Sequence, residues 1–198
     1  METNDYQQLV QLIKKSHAHQ TRNGGNVPYW IHCYRASKLL EHALGQTKEG
    51  SSRENRAIIL AGLGHDLYED TKVTRKYIAQ KFGAKVDSLI FEMTNMYGDH
   101  EIRKYCEKLK TTSEAALLIK LSDLIDNMTG GAYAIHENGR AWTKEFLWAI
   151  VHQQWLTVSK IKFSQFPKTA SYLKSLASFG HHSLQIAIEN HYQKKFNL

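Results

Sequence analysis

The sequence predicts an all-α helical bundle, on three observations. Apolar residues recur at three- and four-residue intervals along most of the chain, the spacing that lines one face of a helix. Proline occurs only at positions 28 and 167, leaving long stretches free of the residue that most strongly breaks helices. No alternating apolar-polar strand pattern competes with this reading, and no internal repeat is visible.

Each element has its own local reason. Tyr6, Leu9, Val10 and Ile13 fall at i, i+3, i+4 and i+7 and stripe an opening helix that runs towards His17. Asn23-Gly24-Gly25-Asn26 breaks that helix, and Pro28 restarts the chain. Trp30, Ile31, Tyr34, Ala36, Leu39 and Leu40 then face a second helix to the core, with His32 near its start. Ser51-Ser52-Arg53-Glu54 has capping-box spacing directly before the apolar run from Ala57, so a third helix starts there. Thr74 to Phe82 and Val86 to Met93 read as short helices separated by Gly83, and Asp99 to Leu109 as another. Thr111-Thr112-Ser113-Glu114 repeats the capping-box spacing ahead of a helix over Ala115 to Met128, which Gly130-Gly131 is expected to end. From Asn138 a long aromatic-rich helix is expected, with two more after Pro167.

At 198 residues the chain is sized for one domain, residues 1–198. Its 42% apolar and 23% charged residues exclude disorder, collagen-like repeats and low-complexity scaffolds. Lys plus Arg (26) exceed Asp plus Glu (19), a net charge of +7 that favours phosphorylated or otherwise anionic partners. The six Lys against one Glu from Ser159 onward read either as a nucleic-acid footprint or as a solvated face, and the density favours the solvated face. Cys33 and Cys106 cannot build a disulfide framework and fit a reducing compartment. The longest strongly apolar run, Ala57 to Gly64, is far short of the roughly 20 residues a membrane span requires. The opening Glu2, Asn4 and Asp5 supply neither a basic flank nor an apolar signal segment, so a cytoplasmic location is expected.

Chemistry concentrates in three places. His32, the adjacent His65-Asp66 and Asp123 lie far apart in sequence, and each offers a metal-type ligand at a helix position. His65 and Glu69 are four apart, as are Asp66 and Asp70, which sets two pairs on neighbouring stripes of one helix end. Three carboxylates within five residues are costly to bury unless a cation or hydrogen bonds compensate them. Singly, His32 reads equally as a satisfied core or surface histidine, and Asp123 as a local hydrogen-bond acceptor.

Taken in order, His32, His65-Asp66 and Asp123 resemble the pattern of the HD phosphohydrolase superfamily. His17-Ala18-His19-Gln20-Thr21-Arg22, followed by Pro28-Tyr29 and His32, resembles the H-x-G-Q-x-R, PY and HP entrance motif of the RelA/SpoT hydrolase domain. Gly64-His65-Asp66-Leu67-Tyr68-Glu69-Asp70-Thr71 is similar to its L-H-D-x-x-E-D-T signature, and Leu118 to Met128 to L-x-K-L-A-D-R-L-x-N-M. Phe82-Gly83 and the segment Glu145-Phe146-Leu147-Trp148 fall where that family has FG and an aromatic helix. The resemblance covers residues 9–150 and leaves 151–198 as a C-terminal helical extension. Nothing resembles the synthetase, TGS or ACT portions of the long enzymes, so the match is to the stand-alone small alarmone hydrolases, the Mesh1-like class.

That resemblance implies an HD-domain bundle that removes the 3′-diphosphate of guanosine tetra- or pentaphosphate in the stringent response, giving GDP or GTP and diphosphate. It implies one Mn²⁺ per chain on His32, His65, Asp66 and Asp123, and Glu69 and Asp70 as the catalytic pair in an order left open. Arg22, Tyr29, His100, Arg103, Lys104, Lys120 and Asn127 match positions that contact substrate. The residues themselves are consistent with this. Two imidazoles and two carboxylates suit Mn²⁺ better than a thiolate-bound structural Zn²⁺, and Lys120, Asp123 and Asn127 share one stripe at i, i+3 and i+7. Cys33 stands where relatives carry Pro and reads as a substitution, not a ligand.

The departures are His19 for the motif Gly, Gly64 for an apolar residue, Ser122 for Ala, Asp126 just before Asn127, and Glu145 for an animal-type Tyr. Glu145, beside an anionic ligand, leaves guanine against adenine open. Two other functions stay in view: an HD phosphatase acting on a nucleoside monophosphate or on the 2′-phosphate of NADPH, and a nucleotide sensor without turnover. The intact Glu69-Asp70 pair argues against the sensor. A homo-oligomer is compatible with everything above.

Overall fold

A computed structural model describes residues 4–22, 26–138 and 147–196. Its helices are α1 (Asn4–Ser16), α2 (Trp30–Thr47), α3 (Ser52–Leu63), α4 (Leu67–Asp70), α5 (Arg75–Phe82), α6 (Ala84–Met93), α7 (Ile102–Leu109) and α8 (Glu114–Asn138). They continue with α9 (His152–Val158) and α10 (Pro167–Phe196). A 3₁₀ turn at Asp99–Glu101 leads into α7, and a π turn at Leu147–Val151 leads into α9. No strand forms among the described residues. One isolated bridge pairs Thr21 with Pro28 and pinches the loop ahead of α2. No helix among them is long and apolar enough to cross a membrane.

The core is built from the predicted stripes. Leu9 and Ile13 of α1, Leu40 of α2, Ile58 and Leu63 of α3, and Leu89 and Ile90 of α6 are fully buried. α8 is the central strut, packing on α2, α3 and α6 and, along its length, on α10.

Caps mark the helix starts. Ser51 accepts the Glu54 amide at 3.2 Å and Thr74 the Tyr77 amide at 3.3 Å, each satisfying an amide with no partner inside its helix. Gly83, with φ of +100°, ends α5 in a conformation that L side chains rarely adopt. At α8 the capping hydroxyl is Ser113, accepting from Ala116 at 3.3 Å. Glu114 instead reaches across to the amides of Ser164 (2.7 Å), Gln165 (2.8 Å) and Phe166 (3.2 Å). Glu49 does the same for the first turn of α10, accepting from Lys168 at 2.9 Å and Thr169 at 2.8 Å. Burial opposes ionisation of both carboxyls, but these donors hold each below its ordinary value of 4.5. Such groups stabilise the fold above pH 4.5, and the contribution is lost as pH falls through their lowered values. Glu114→Ala is therefore expected to cost about 1–2 kcal/mol near neutral pH, seen as a lower melting temperature, with the gap from wild type closing in acid.

Three sequence expectations are corrected. Gly130-Gly131 does not end α8, which runs on to Asn138. Two glycines cost about 1 kcal/mol each in a helix, and the packing of α8 on its neighbours, with Ala134 and Ile135 beyond the glycines buried, outweighs that. After Pro167 there is one helix rather than two. Gly180 does not interrupt it, because a Cβ there would lie 3.2 Å from Thr129 and 3.5 Å from Met128, so the bare backbone lets α10 approach α8. Thirdly, His65 and Asp66 are not on a continuous helix. α3 stops at Leu63, the pair forms a turn, and α4 is a single turn. Of the expected aromatic helix, 139–146, including Glu145 and Phe146, lies outside the described residues.

Candidate metal centre and its cavity

Local folding aims the imidazoles. The Arg22 amide donates to Val27 at 2.8 Å and the Tyr29 amide to Gln20 at 3.0 Å, so the loop closes and α2 begins at Trp30. His32 then falls in the first turn, where its ring enters the core. On the other side, the Gly64 amide donates to the Leu60 and Ala61 carbonyls and the Leu67 amide to Gly64. A Cβ at Gly64 would lie 2.9 Å from Ile90 Cδ1 and 3.2 Å from Leu67 Cδ1. Glycine at this departure from the pattern therefore lets the turn press onto α6.

The four residues meet. His32 Nε2 lies 3.2 Å from His65 Nε2, 3.4 Å from Asp66 Oδ2 and 3.1 Å from Asp123 Oδ1. His65 Nε2 lies 3.2 Å from Asp66 Oδ1 and 3.5 Å from Asp123 Oδ1. The other ring nitrogens are engaged, His65 Nδ1 with the Gly62 carbonyl at 2.8 Å and His32 Nδ1 with Asp126 Oδ2 at 2.7 Å. Both partners only accept, so each Nδ1 carries a proton and each neutral ring turns a lone pair towards the other and towards two carboxylates. His32, His65 and Asp123 are at most 4% exposed. Each carboxylate has a donor behind it, but the two imidazole lone pairs and the carboxylate oxygens facing them have none between them, so positive charge at that point compensates their burial, and a two-nitrogen, two-oxygen set fits a divalent cation. A proton is the alternative source of that charge. Burial and Arg22 oppose it, but hydrogen bonds to Asp123, Asp126 and Asp66 push His32 up to about 10.

A cavity of about 310 Å³ opens on this cluster. Glu69 and Asp70, in α4, line it together with Arg22, Tyr29, Lys120 and Asn127. Glu69 accepts the Asn95 amide at 2.6 Å. Burial first, then the Asp66 charge, push its carboxyl up to about 7. The same two causes raise Asp70. The Tyr29 hydroxyl donates to Asp66 Oδ2 at 2.9 Å. Lys120 donates to Asp123 Oδ2 at 2.9 Å, and the Asn127 amide to Asp123 Oδ1 at 2.6 Å. Arg22 donates to Asn127 at 2.9 Å and to Asp126 at 3.2 Å, while its buried Nε has no protein partner.

His100, Arg103 and Lys104 are exposed and do not line the cavity, and Lys104 pairs with Glu101. His100 sits in the exposed 3₁₀ turn, and for Arg103 and Lys104 the physical reason is the amphipathicity of α7, which buries Tyr105, Cys106 and Leu109 and turns its charges outward. The cavity wall on this side is supplied by Asp99 and Tyr105 instead. Sequence reasoning also missed Asn95, Gln154 and the Ile150-Val151 turn in the wall, and gave Asp126 and Arg35 no role. Only Asp126 carried a signal, three residues beyond Asp123 on the same helix.

Comparison with known proteins gives a consistent picture. The HD domain family model matches residues 10–145. A guanosine-3′,5′-bis(diphosphate) 3′-pyrophosphohydrolase of Aquifex aeolicus is 32% identical over 130 residues, covering 63% of this chain and 17% of that protein. The chain spans less than a fifth of the length of this and the other bacterial relatives it matches. The guanosine-3′,5′-bis(diphosphate) 3′-pyrophosphohydrolase MESH1 of Drosophila melanogaster is 28% identical over 153 residues, 73% of this chain and 80% of that one. A solved structure of a metazoan ortholog of SpoT that hydrolyzes ppGpp superposes with a TM-score of 0.67 at 19% identity, covering 87% of this chain and 95% of that chain. At that identity the likeness bears on the fold.

Proposed function

The chain belongs to the HD domain family, and from that premise we propose that it is a metal-dependent hydrolase of the 3′-diphosphate of guanosine tetra- and pentaphosphate, releasing diphosphate and GDP or GTP. The observation that carries this reading is the convergence of two imidazole Nε2 atoms and two carboxylates at the floor of a cavity that also holds Glu69 and Asp70. Its support in substrate comes from relatives named for that reaction, one of which matches over most of its length.

His32, His65, Asp66 and Asp123 would hold the ion, and their mixed nitrogen and oxygen donors suit Mn²⁺. When bound, such an ion supplies Lewis acidity towards a phosphoryl oxygen and brings hydroxide within reach near neutral pH. Glu69, anchored through one oxygen by Asn95, takes the proton of the attacking water as the new oxygen–phosphorus bond forms. The bond from phosphorus to the ribose 3′ oxygen breaks, and Asp70, whose carboxyl is raised, returns a proton to that oxygen. The buried Arg22 Nε–H, without a protein acceptor, and the Lys120 ammonium meet the negative charge of the substrate. Helix α10 packs along α8, which supports reading 1–198 as one unit, and two free, buried cysteines suit a cytoplasmic setting.

The test is product identification after incubating purified protein with Mn²⁺ and a panel of 3′-diphosphorylated guanosine and adenosine nucleotides, NADPH and nucleoside monophosphates. Diphosphate and GDP from guanosine tetraphosphate are expected. Inorganic phosphate from NADPH or a monophosphate, with no diphosphate from any 3′-diphosphate, overturns the reading. Chelation should remove more than about 99% of turnover, and Mn²⁺ should restore it.

A further inference from the structure

Asp126 stands at a position the family pattern leaves open, and the proposed reaction gives it no task. Yet its carboxylate is held by three residues of two other elements. Its Oδ2 lies 2.7 Å from His32 Nδ1. Arg35, one turn further along α2, forks onto the same carboxylate, Nε to Oδ1 at 2.5 Å and a terminal nitrogen to Oδ2 at 3.1 Å. Arg22 reaches it at 3.2 Å. One residue of α8 thus ties down the start of α2 twice and the loop before it once.

We propose that Asp126 is a positioning residue for the metal centre, fixing the His32 ring so that Nε2 faces His65, Asp66 and Asp123, with Arg35 in turn fixing Asp126. This rests on the reading of those four residues as ligands. A neutral imidazole has one donor and one acceptor nitrogen, so the acceptor at Nδ1 decides which nitrogen is offered to a cation. The two histidines receive different acceptors. His65 faces a neutral carbonyl, that of Gly62, whereas His32 faces a carboxylate, the stronger acceptor, which makes its Nε2 the more basic ligand. The Arg35 fork is planar and two-pronged, so it sets the rotation of the carboxylate as well as its place. Arg35 has a 48% exposed side chain against 10% for Asp126, so it can be removed with little loss of packing.

The experiment is calorimetric titration of Mn²⁺ into the metal-stripped full chain, at a temperature where melting of the metal-free protein shows every variant folded. Asp126→Asn, which keeps an acceptor but loses the charge, is expected to weaken Mn²⁺ binding about 10- to 100-fold, and Asp126→Ala more. Arg35→Ala should weaken it several-fold in the wild-type background and not at all in Asp126→Asn, because Arg35 acts through Asp126. A merely structural role would lower the melting temperature and leave the Mn²⁺ Kd of the folded protein unchanged. Asp126→Asn with a Kd within twofold of wild type, or an Arg35→Ala effect that persists in Asp126→Asn, overturns the proposal and leaves the metal centre standing. Wild-type protein that binds no Mn²⁺ overturns both.

Discussion

Asp66→Ala is expected to abolish divalent-ion binding and turnover together. Its two oxygens lie 3.2 Å from His65 Nε2 and 3.4 Å from His32 Nε2, and the second also accepts the Tyr29 hydroxyl. No other carboxylate described here faces both imidazoles with both of its oxygens. Alanine leaves His32 and His65 converging on Asp123 alone, and Asp123 is already neutralised by Lys120 at 2.9 Å. The loss in Mn²⁺ affinity should exceed the roughly 100-fold that partners behind a ligand can cause. Calorimetry for the ion and diphosphate release for the reaction measure the two effects on one preparation. A variant that keeps Mn²⁺ affinity within a few-fold, or turns over at the wild-type rate, removes Asp66 from the centre.

What could be read from the sequence divides along a physical line. Local rules act within a few residues, and those were legible: the α1 stripe of Leu9 and Ile13, the Ser51 cap, the short helix from Thr74, and the stop at Gly83. Where a distant element overrides a local preference, the reading failed. Gly130-Gly131 is a stop signal only for a helix with nothing packed against it, and α10 lies along α8. The site follows the same division. The order of His32, His65-Asp66 and Asp123 in three motifs pointed to residues that the structure brings within hydrogen-bonding distance of one another. His100, Arg103 and Lys104 rest on matching positions in the family pattern, and a matching position does not reveal whether its side chain meets the cavity. Asp126 and Arg35 are 91 positions apart, and neither belongs to a local pattern. Only the crossing of α2 and α8 makes them a pair.

Glu69→Gln is expected to separate what Asp66→Ala abolishes jointly. The amide is nearly isosteric and its oxygen can still accept the Asn95 N–H, so the α4 turn should hold and Mn²⁺ binding should stay within a few-fold of wild type. Turnover should fall by about 10²–10⁴, the range of a lost general base. The pH dependence gives the sign. Burial and the Asp66 charge push this carboxyl up to about 7, and a base acts only when ionised. Wild-type kcat/KM should therefore rise with pH along an acid limb that a cation beside Asp66 draws below 7, and Glu69→Gln should lack that limb. Stability runs the opposite way. A folded value raised above the ordinary 4.5 stabilises the fold below pH 4.5, and that contribution is lost as pH rises through about 7. Metal-free Glu69→Gln should then match wild type at pH 4 and exceed it above pH 8, by a margin that solvent screening of this exposed side chain keeps small. A gain in alkaline stability coupled to a loss of turnover is what a carboxylate held ionised for proton transfer, at a cost to the fold, must produce. If Glu69→Gln keeps a tenth or more of wild-type activity, the proton goes elsewhere, and Asp70→Asn becomes the variant that should erase the acid limb.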